Sequence, residues 1–354
     1  MLPSAWPKSL GIMASDGRNA RAGSGRAAMG GISPPAADNV VAVIVTLRPA
    51  SNVIQHVQTL AGHVMRVVVV DNGSGSSATS ILDSIAALPS VEVIRNPTNL
   101  GIARALNQGG AAAMDIGADW LLTLDQDAAP TDEIVVVAGR TFERYPQSDR
   151  IAVIGSTSFE AHLAGWAAAA SRGRPWIEAS ATITAGSFVS LAAFRSIGGF
   201  LDDLFIDQVD TEFCLRARAN GYRVLASSAP AMTHQIGQPT ERWIGRRAVH
   251  PTNHSAARRY YITRNRVLVW RRYWRTDPRA AAHEFIASQK ELVKLLFVEK
   301  GRAEKLRAML AGLRDGLRNI AGEKGHLERK KLAWPDTNPS SAATAHPYSR
   351  PGPR

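Results

Sequence analysis

The sequence predicts an α/β fold with a doubly wound, largely parallel sheet. Two observations lead to this prediction. Runs of β-branched and other apolar residues recur between residues 40 and 125, and the apolar residues between those runs have helical spacing. Two of the runs end in acidic residues. Strands and helices that alternate in this order are typical of a sheet that is covered by helices on both faces.

The predicted elements follow one another in a simple order. A strand over Val40–Thr46 precedes a helix marked by Val53, Val57 and Leu60, and a second strand covers 67–70. We expect this β-α-β unit to have a right-handed crossover. The next predicted elements are a short helix through 81–85, a strand over 91–94 and a helix over 103–114.

A fourth predicted strand, over residues 120–124, ends in two carboxylates, Asp125 and Asp127. An apolar run without helical spacing is typical of a buried parallel strand. Its acids should then lie at the carboxyl edge of the sheet, where open α/β folds bind ligands. Two carboxylates there suit a divalent cation that also holds a diphosphate. The alternative is that both acids cap a helix beginning near 131–133.

Composition narrows the class of protein. At 354 residues the chain can form one large domain with an appendage, or two domains. Its one cysteine, Cys214, excludes an intramolecular disulfide framework and a multi-cysteine zinc site. No apolar run reaches the roughly 18–20 residues of a membrane-spanning helix, and no secretion signal is recognisable at the N-terminus. We expect a cytoplasmic protein.

The net charge of +12 is concentrated in the C-terminal third. Residues 241–334 hold 23 Lys and Arg against 9 Asp and Glu, whereas residues 1–240 hold 17 against 20. Such a basic segment is attracted to lipid headgroups, nucleic acid or phosphorylated substrates. The Arg-rich stretch 258–279 could serve a nucleic-acid-binding protein. That interpretation gives the acids no role, and they would repel a polyanion, so we expect no nucleic-acid partner.

Short motifs recur in a fixed order along residues 41–275. They are Val-Ile-Val-Thr at 43–46, Val-Val-Asp-Asn-Gly-Ser at 69–74, Asn-x-x-Asn-Leu-Gly-Ile-Ala at 96–103, Leu-Asp-Gln-Asp at 124–127, Gly-Ser at 186–187, Ile-Gly-Gly-Phe at 197–200, and the stretch 205–216. Each motif is weak alone. As an ordered set they resemble the family 2 glycosyltransferases, which have the GT-A fold, and within them the bacterial rhamnosyltransferase-like branch.

The resemblance implies a GT-A type, doubly wound nucleotide-binding sheet with roles for residues at its strand ends. Asp71 would contact the base of the sugar nucleotide, and Thr46 would line the same pocket. Asn99 is a further substrate-binding candidate. The chain departs from the family pattern at Leu47-Arg48-Pro49, where relatives usually have Tyr-Asn-Pro. An aromatic side chain that could flank the base is thereby replaced by a cation.

The resemblance also implies a metal cofactor, Mg²⁺ or Mn²⁺, that neutralises the leaving diphosphate. Asp127 is the expected direct ligand. Asp125 would face the donor sugar or ribose and is a second candidate ligand. His234 occupies a position where relatives often have a histidine that reaches the metal or the diphosphate, and a structural or surface role for it is equally open. His250 and His254 are expected to be loop residues.

A second acid cluster comprises Asp207, Asp210 and Glu212. An inverting transfer needs a base that takes the proton of the acceptor hydroxyl. By resemblance, Asp210 occupies the position of this catalytic base, Glu212 is the next acid, and Asp207 is an extra acid common in the branch. We expect the latter two to contact substrate. Alternatively, the cluster caps a helix over 212–220, a role that is compatible with catalysis.

An Arg-rich segment after the second acid cluster resembles the family's Tyr-Tyr-x-x-Arg-Asn segment near the donor phosphates. Arg264 is the predicted phosphate ligand, because the planar guanidinium can donate two parallel hydrogen bonds. Arg258, Arg259 and Arg271 are expected to be solvated or to face a membrane.

The C-terminal region is predicted to be helical from Glu284 to Ile320. Leu306, Met309 or Leu310, Leu313, Leu317 and Ile320 recur at steps of three and four. Either this stripe lies in the cytoplasmic face of a membrane, aided by its basic neighbours, or it packs a two-helix appendage against the catalytic domain.

The predicted domains follow from these patterns. They are a disordered leader at 1–38, a GT-A catalytic domain at 39–280, a basic amphipathic helical appendage at 281–330 and a disordered tail at 331–354.

These features together predict an inverting, metal-dependent glycosyltransferase. We expect it to move a sugar, with L-rhamnose from dTDP-rhamnose as the first candidate, to a cell-surface glycan or a lipid-linked acceptor. The alternative is the same fold with another donor, such as UDP-galactofuranose or UDP-glucose. The expected location is the cytoplasm, with the inner face of the plasma membrane as a candidate partner.

Overall fold

The structure, a computed structural model, describes residues 32–159, 171, 173–234, 242–244, 247–249 and 253–323. Most of the predicted leader, the predicted tail, His250 and the side chain of His234 lie outside the described residues. Residues 32–38, which the sequence assigned to the disordered leader, instead pack on the domain. Trp120 is buried and donates its indole N–H to the carbonyl of Ser33 at 2.8 Å. The ordering follows because a buried indole N–H needs a partner.

Strands and helices alternate through the first half of the described chain. The strands are β1 Val40–Thr46, β2 Arg66–Asp71, β3 Val91–Arg95, β4 Trp120–Asp125, β5 Ala128–Pro130, β6 Ile151–Ser158, β7 Trp176–Glu178, β8 Ser187–Ser190, β9 Arg223–His234, β10 Arg242–Ile244 and β11 Arg247–Val249. The helices are α1 Asn52–Ala61, α2 Thr79–Ala86, α3 Ile102–Ile116, α4 Ile134–Glu143, α5 Leu191–Ile197, α6 Val209–Ala219, α7 Ala256–Tyr273, α8 Pro278–Phe297 and α9 Arg302–Leu317.

One large sheet has the strand order β3-β2-β1-β4-β8-β6-β9-β5, and β7 also pairs with β9. The first four strands in this order are mutually parallel, whereas β8 runs antiparallel to both β4 and β6. Parallel pairing brings the carboxyl ends of β1, β2 and β4 to one edge. The predicted doubly wound α/β sheet is therefore present, with an extension of mixed parallel and antiparallel strands that periodicity did not indicate.

Both faces of the sheet are buried. Along β1, Val40, Ala42 and Ile44 belong to one apolar cluster, and Val41 and Val43 belong to the other. Helices α1 and α4 contribute to the first cluster, and α3, α5 and α6 contribute to the second. Near-continuous apolar runs are required of strands that are covered on both sides.

The three C-terminal helices form a separate layer. α9 packs along α7 through small residues: a Cβ added at Gly316 would lie 2.9 Å from the carbonyl oxygen of Arg264, and one at Gly312 would clash with the carbonyl of Tyr260. Tyr260 also donates its hydroxyl to Asp315 at 2.8 Å. Within the described residues, α9 is therefore packed against α7. No described helix is long and apolar enough to cross a membrane.

The apolar stripe predicted on α9 is not the surface that packs. Leu310, Leu313 and Leu317 are 65%, 40% and 58% exposed. They lie outside the face of α9 that carries Gly312 and Gly316, which contact α7. The small residues form the contact with α7 because they allow close approach of the two backbones.

Candidate active site

The carboxyl edge of the parallel strands positions the first group of polar side chains. Thr46 ends β1 and pairs with Asp71 at the end of β2, while Asp125 at the end of β4 pairs with Val45. Asp71 is buried and accepts hydrogen bonds from Thr46 Oγ1 at 3.2 Å and from the backbone N–H of Ser74 at 3.0 Å. Ser74 Oγ also donates to Asp71. These bonds fix the Asp71 carboxylate at the floor of the edge.

An amide network connects this edge to the loop before α3. Asn72 Nδ2 donates to Asn99 Oδ1 at 3.0 Å, and the same oxygen accepts the backbone N–H of Gly101 at 2.9 Å. Gly101 has a φ of 85°, and a Cβ there would lie 2.7 Å from the carbonyl oxygen of Phe205. Only glycine allows this approach, which brings the loop of the second acid cluster against the first.

A cleft of about 780 Å³ lies between the two acid clusters. Residues from widely separated parts of the chain line it: Thr46, Asn72, Asn99, Asp125, Asp127, Asp207, Asp210, His254, Arg258, Ile262, Arg266, Lys290 and Lys294. The cleft therefore has an acidic wall from the strand ends and a basic wall from α7 and α8. The last two residues belong to the predicted appendage, so α8 crosses the predicted boundary at residue 280 and forms part of the site.

The acidic pair lines the cleft and does not cap a helix. α4 begins at Ile134, and its N-cap residue, Glu133, makes no side-chain capping bond. Between the two acids, the side chain of Gln126 accepts the backbone N–H of Leu47 at 2.9 Å. The capping alternative for Asp125 and Asp127 is therefore wrong.

The acidic pair supplies two carboxylates for a cation. Antiparallel pairing of Ala128 with His234 brings the backbone of the predicted histidine ligand next to Asp127. Within the described part of the chain, no group of three or more His, Cys, Asp or Glu side chains could hold a metal. Two carboxylates fit Mg²⁺ or Mn²⁺ when substrate phosphates complete the coordination. The donor set therefore fits a metal that arrives with a diphosphate.

Asp207 is held by an arginine that the sequence analysis placed in solvent. Arg258 Nε donates to Asp207 Oδ2 at 3.2 Å, and Nη2 donates to Oδ1 at 3.0 Å. Burial opposes the charge of Arg258, but the carboxylates of Asp207, Asp125 and Asp127 together raise its pKa. Arg258 is thus the arginine that both acid clusters share.

Asp210 lies in the first turn of α6, with its carboxylate facing the cleft. It accepts the backbone N–H of Thr184 at 3.2 Å and that of Thr211 at 2.7 Å. Burial raises the pKa of Asp210, and the charge of Asp207 adds to the rise, although the two N–H bonds lower it. A carboxylate with a raised pKa has a stronger affinity for a proton, as a general base requires.

Glu212 does not reach the cleft, and its predicted substrate contact is wrong. It is 1% exposed, pairs with Arg216 at 2.9 Å and accepts the hydroxyl of Tyr273 at 2.7 Å. Arg216 also donates to the carbonyls of residues 197–199. α6 begins at Val209, so Glu212 lies inside the helix, and the N-cap residue Gln208 makes no side-chain capping bond. Glu212 ties α6 to the preceding loop and to α7.

Arg264 is also absent from the cleft. Its side chain is 1% exposed and donates to the carbonyls of Asp203 at 3.1 Å and Leu204 at 3.2 Å, and to that of Gly322. The guanidinium stacks on Tyr261, with its carbon 4.9 Å from the ring centre. Its donors are directed at backbone carbonyls, so the predicted phosphate contact by Arg264 is wrong. This arginine anchors α7 to the loop before Asp207.

Helical spacing accounts for the missed arginine. Arg258, Ile262 and Arg266 recur at steps of four and line the cleft together, whereas Arg264 points to the other side of α7. The spacing was visible in the sequence, but which face meets the cleft was not. His254 was likewise missed. It lines the cleft, and burial together with Arg258 lowers its pKa to about 4, so its imidazole is neutral at pH 7.

Comparison with known proteins supports the enzyme class. Residues 42–162 match the model of Glycosyl transferase family 2. Over 298 residues the chain is 27% identical to the dTDP-rhamnosyl transferase RfbF of Shigella flexneri, covering 80% of this chain and 97% of that protein. The chain is therefore a glycosyltransferase that is similar to family 2 over residues 42–162. The match spans both acid clusters, because it extends over most of the described residues.

The glycosyltransferase also resembles solved structures. It matches the crystal structure of S. aureus TarS with a TM-score of 0.51 at 15% identity, over 80% of this chain and 49% of that chain. S. aureus TarS 1-349 in complex with UDP-GlcNAc matches with a TM-score of 0.48 at 16% identity, over 80% and 81% of the two chains. Likeness at such identity concerns the fold alone, and the match with a TM-score of 0.51 agrees with the predicted GT-A type sheet with a helical C-terminal region.

Proposed function

We propose that the enzyme transfers L-rhamnose from dTDP-rhamnose, with inversion, to a cell-surface glycan or a lipid-linked acceptor. The observation that carries the proposal is the cleft, in which a half-buried carboxylate, Asp210, faces a nucleotide-type strand edge and the acidic pair. The choice of donor follows the dTDP-rhamnosyl transferase of Shigella flexneri, which aligns over most of both chains. UDP-galactofuranose and UDP-glucose are the alternative donors.

The strand edge would hold the nucleoside. Asp71 would accept hydrogen bonds from the base, and Thr46 and Asn99 would line the same pocket. Asp71 is already fixed by Thr46 and Ser74, so little conformational freedom is lost on binding, which favours affinity. Arg48, next to this edge, is exposed and has a φ of 51°. It could pair with a phosphate in place of the aromatic residue that relatives have there.

The acidic pair would hold the diphosphate through a divalent cation. Asp127, with Asp125 and His234 as further candidates, would bind Mg²⁺ or Mn²⁺. The bound metal would offset negative charge on the leaving nucleoside diphosphate. Arg258 lies close enough to both aspartates for their charges to raise its pKa. We assign to it the diphosphate contact that the sequence suggested for Arg264.

Asp210 would act as the general base. Its carboxylate takes the proton from an acceptor hydroxyl while that oxygen attacks the anomeric carbon of the donor. The new C–O bond forms as the bond to the diphosphate breaks, and the nucleoside diphosphate leaves with the electron pair. Attack from the side opposite the leaving group inverts the anomeric configuration. The N–H groups of Thr184 and Thr211 hold the carboxylate in place.

Peripheral membrane binding is the second part of the proposal. Besides the exposed leucines of α9, α8 exposes Phe285, Ile286, Val293 and Phe297 at 54–70%. Exposed basic residues on α9, among them Arg307, Arg314 and Arg318, accompany these apolar faces. Apolar surface with basic neighbours suits the anionic cytoplasmic leaflet. Flotation with vesicles of anionic lipid at low salt tests this part, and failure to float would refute it.

Donor binding tests the main proposal. We would measure thermal stability with dTDP-rhamnose, UDP-galactofuranose, UDP-glucose, their nucleoside diphosphates and short RNA and DNA, each with and without Mn²⁺ or Mg²⁺. Ligand at 100 times its dissociation constant should add about 2.7 kcal/mol to the free energy of unfolding. We expect the largest metal-dependent shift with dTDP species and its loss in Asp127→Ala.

The outcomes separate the alternatives. A larger shift with a UDP-sugar would replace the donor but keep the enzyme class and the site. A nucleotide shift that ignores metal and survives in Asp127→Ala would refute the role of the acidic pair. No shift with any nucleotide, together with a shift with RNA or DNA, would refute the proposal as a whole.

A further inference from the structure

We propose that a narrow crevice beside the cleft binds the sugar ring of the acceptor. Gln208 would accept a hydrogen bond from a ring hydroxyl, and Trp270 would pack against the C–H face of the ring. The inference rests on the proposed function, because it places the acceptor relative to Asp210. It adds a binding site that neither the motifs nor the relatives assign.

The crevice opens from the cleft directly beside the proposed base. It shares Gln208, Thr211 and Arg266 with the cleft and continues to Trp270. Thr211 follows Asp210 and donates its backbone N–H to that carboxylate at 2.7 Å. With a volume of about 40 Å³, the crevice has room for about one water molecule. A sugar ring would therefore lie across its mouth, with a hydroxyl group inside.

Gln208 presents an unused hydrogen-bond acceptor at this junction. Its Oε1 is buried and has no hydrogen-bond partner among the described residues. Its Nε2 donates to Glu284 Oε2 at 3.5 Å, and that carboxylate can only accept while ionised. Flipping the Gln208 amide would place its Oε1 against Glu284 Oε2, and two acceptors repel each other. Oε1 therefore remains the acceptor without a partner. A buried acceptor without a donor is unfavourable, and a hydroxyl of a ligand would satisfy it.

The backbone at Gln208 is held in a conformation that L-residues rarely adopt. Asp207 and Gln208 both have a φ of 64°. Such residues persist where the surrounding structure fixes them, and they cluster at functional sites. Arg258 holds Asp207 through two hydrogen bonds, and Asn265 Nδ2 donates to the Asp207 carbonyl at 2.9 Å. These contacts direct the Gln208 side chain into the crevice.

Trp270 supplies a rigid aromatic surface at the mouth. It is 45% exposed and stacks on Trp274, with ring centres 6.2 Å apart and planes at 25°. The face of an aromatic ring carries negative potential, and the C–H groups of a sugar carry the opposite sign. Beside it, Arg266 Nε donates to Glu284 Oε2 at 3.3 Å. This combination of apolar ring with donors and acceptors is typical of a site for polyhydroxylated ligands.

Kinetics with small acceptors test the proposal. We would assay transfer to methyl glycosides of glucose, galactose, N-acetylglucosamine, mannose and rhamnose, using the donor that gives the largest thermal shift. Trp270→Ala and Gln208→Asn should each raise the KM for the best glycoside about tenfold, while the KM for the donor stays within about twofold. Asparagine tolerates positive φ but carries a shorter side chain, so the second variant withdraws Oε1 without adding backbone strain.

Two matched variants control the experiment. Trp274→Ala removes an equally exposed tryptophan one turn further along the chain, outside the crevice, and should change the acceptor KM less than twofold. Trp270→Phe keeps an aromatic face and should restore most of the affinity. An unchanged acceptor KM in Trp270→Ala would overturn the proposal, and so would an equal effect of Trp274→Ala.

Further outcomes separate the crevice from the proposed function. Failure of the wild-type enzyme to bind or hydrolyse any sugar nucleotide would refute the proposed function itself. The enzyme could instead hydrolyse a donor but transfer no sugar to any methyl glycoside, and show no change in tryptophan fluorescence when a glycoside is added. This result would overturn the proposed acceptor site and leave the proposed function intact. If Trp270→Ala instead weakens vesicle flotation and leaves the acceptor KM unchanged, the aromatic pair contacts lipid and the acceptor site lies elsewhere.

Discussion

The nucleotide-type edge and the helical side of the cleft differ in how they are built. At the edge, Thr46, Asp71 and Asp125 follow parallel strands that pair in register. On the helical side, Asp207 and Arg258 are 51 residues apart and meet through a loop with positive φ and the first turn of α7. The first arrangement follows from strand order, whereas the second depends on how helices dock.

The difference teaches where motif-based assignment of residues is dependable. The position of a residue at the end of a buried parallel strand is determined by the sheet, because strand pairing fixes its neighbours. A residue on a helix can face the ligand or the core, and two arginines six positions apart take opposite roles here. Arg258 reaches both acid clusters, whereas Arg264 binds backbone carbonyls. The comparison can be tested by variants on each side.

The largest expected effect concerns Asp210. Asp210→Asn should lower the transfer rate by about 10²–10⁴-fold, the usual contribution of a positioned base, and should leave the nucleotide-induced thermal shift intact. The base acts when deprotonated, so the wild-type rate should fall as the pH drops through its raised pKa. An unchanged transfer rate in Asp210→Asn would show that Asp210, on the helical side of the cleft, takes no part in the chemistry.

The next effect concerns the folding of the helical side. Arg216→Ala should lower the free energy of unfolding by about 3–5 kcal/mol, because it leaves Glu212 buried without its partner. Arg218 pairs with Asp277 at a more exposed position, so Arg218→Ala should cost less than about 1 kcal/mol. Urea unfolding would measure both. Equal losses would show that burial does not separate the two pairs.

The two arginines of α7 give the sharpest test of the comparison. Arg258→Ala should lower kcat/KM by about 10- to 100-fold, as expected for loss of a charge-assisted hydrogen bond, with little change in stability. Arg264→Ala should instead lower the free energy of unfolding, because it removes the hydrogen bonds that this side chain donates to three backbone carbonyls. Steady-state kinetics and urea unfolding of both variants would measure the two effects. The opposite pattern would restore the phosphate contact of Arg264.

The smallest effect concerns the packing of α9. Gly312→Val should lower the free energy of unfolding by about 1–3 kcal/mol, because the added atoms meet the backbone carbonyl of Tyr260. Leu310→Ala, on the exposed face, should change it by less than about 0.5 kcal/mol. Thermal and urea unfolding would distinguish them. A larger loss in Leu310→Ala would mean that the apolar stripe is a packing surface after all.

Much of the fold was predictable because burial leaves a local signature. The strands around Val43, Val69 and Leu122 are apolar on both faces, and helices cover them. The antiparallel strands β5 and β7 were less visible because they have only three residues each. Residues 32–38 have no periodicity, and no local pattern could indicate their contacts with the domain, which include the hydrogen bond from Trp120 to Ser33 and the packing of Ile32 on the apolar core.

The residues of the candidate site also differ in how far the sequence could predict their positions. Asp125, Asp127 and Asp210 line the cleft, whereas Glu212 does not, because its carboxylate pairs with Arg216 inside the domain. Residues of α8 could not be foreseen in the site. Lys290 and Lys294 lie more than 160 positions beyond Asp127, and only the docking of α8 brings them to the same cleft.

The sequence alone was enough to predict the α/β sheet, the edge at which its acids gather and the resemblance to family 2 glycosyltransferases. It could do so because side-chain periodicity and parallel pairing are local consequences of burial on both faces. The tertiary structure alone decided which arginine meets the acids, that Gln208 has an open acceptor beside Asp210, and that α9 packs with glycines while its leucines face outward. These outcomes depend on contacts between helices distant in the chain, where close backbone approach outweighs the local apolar pattern.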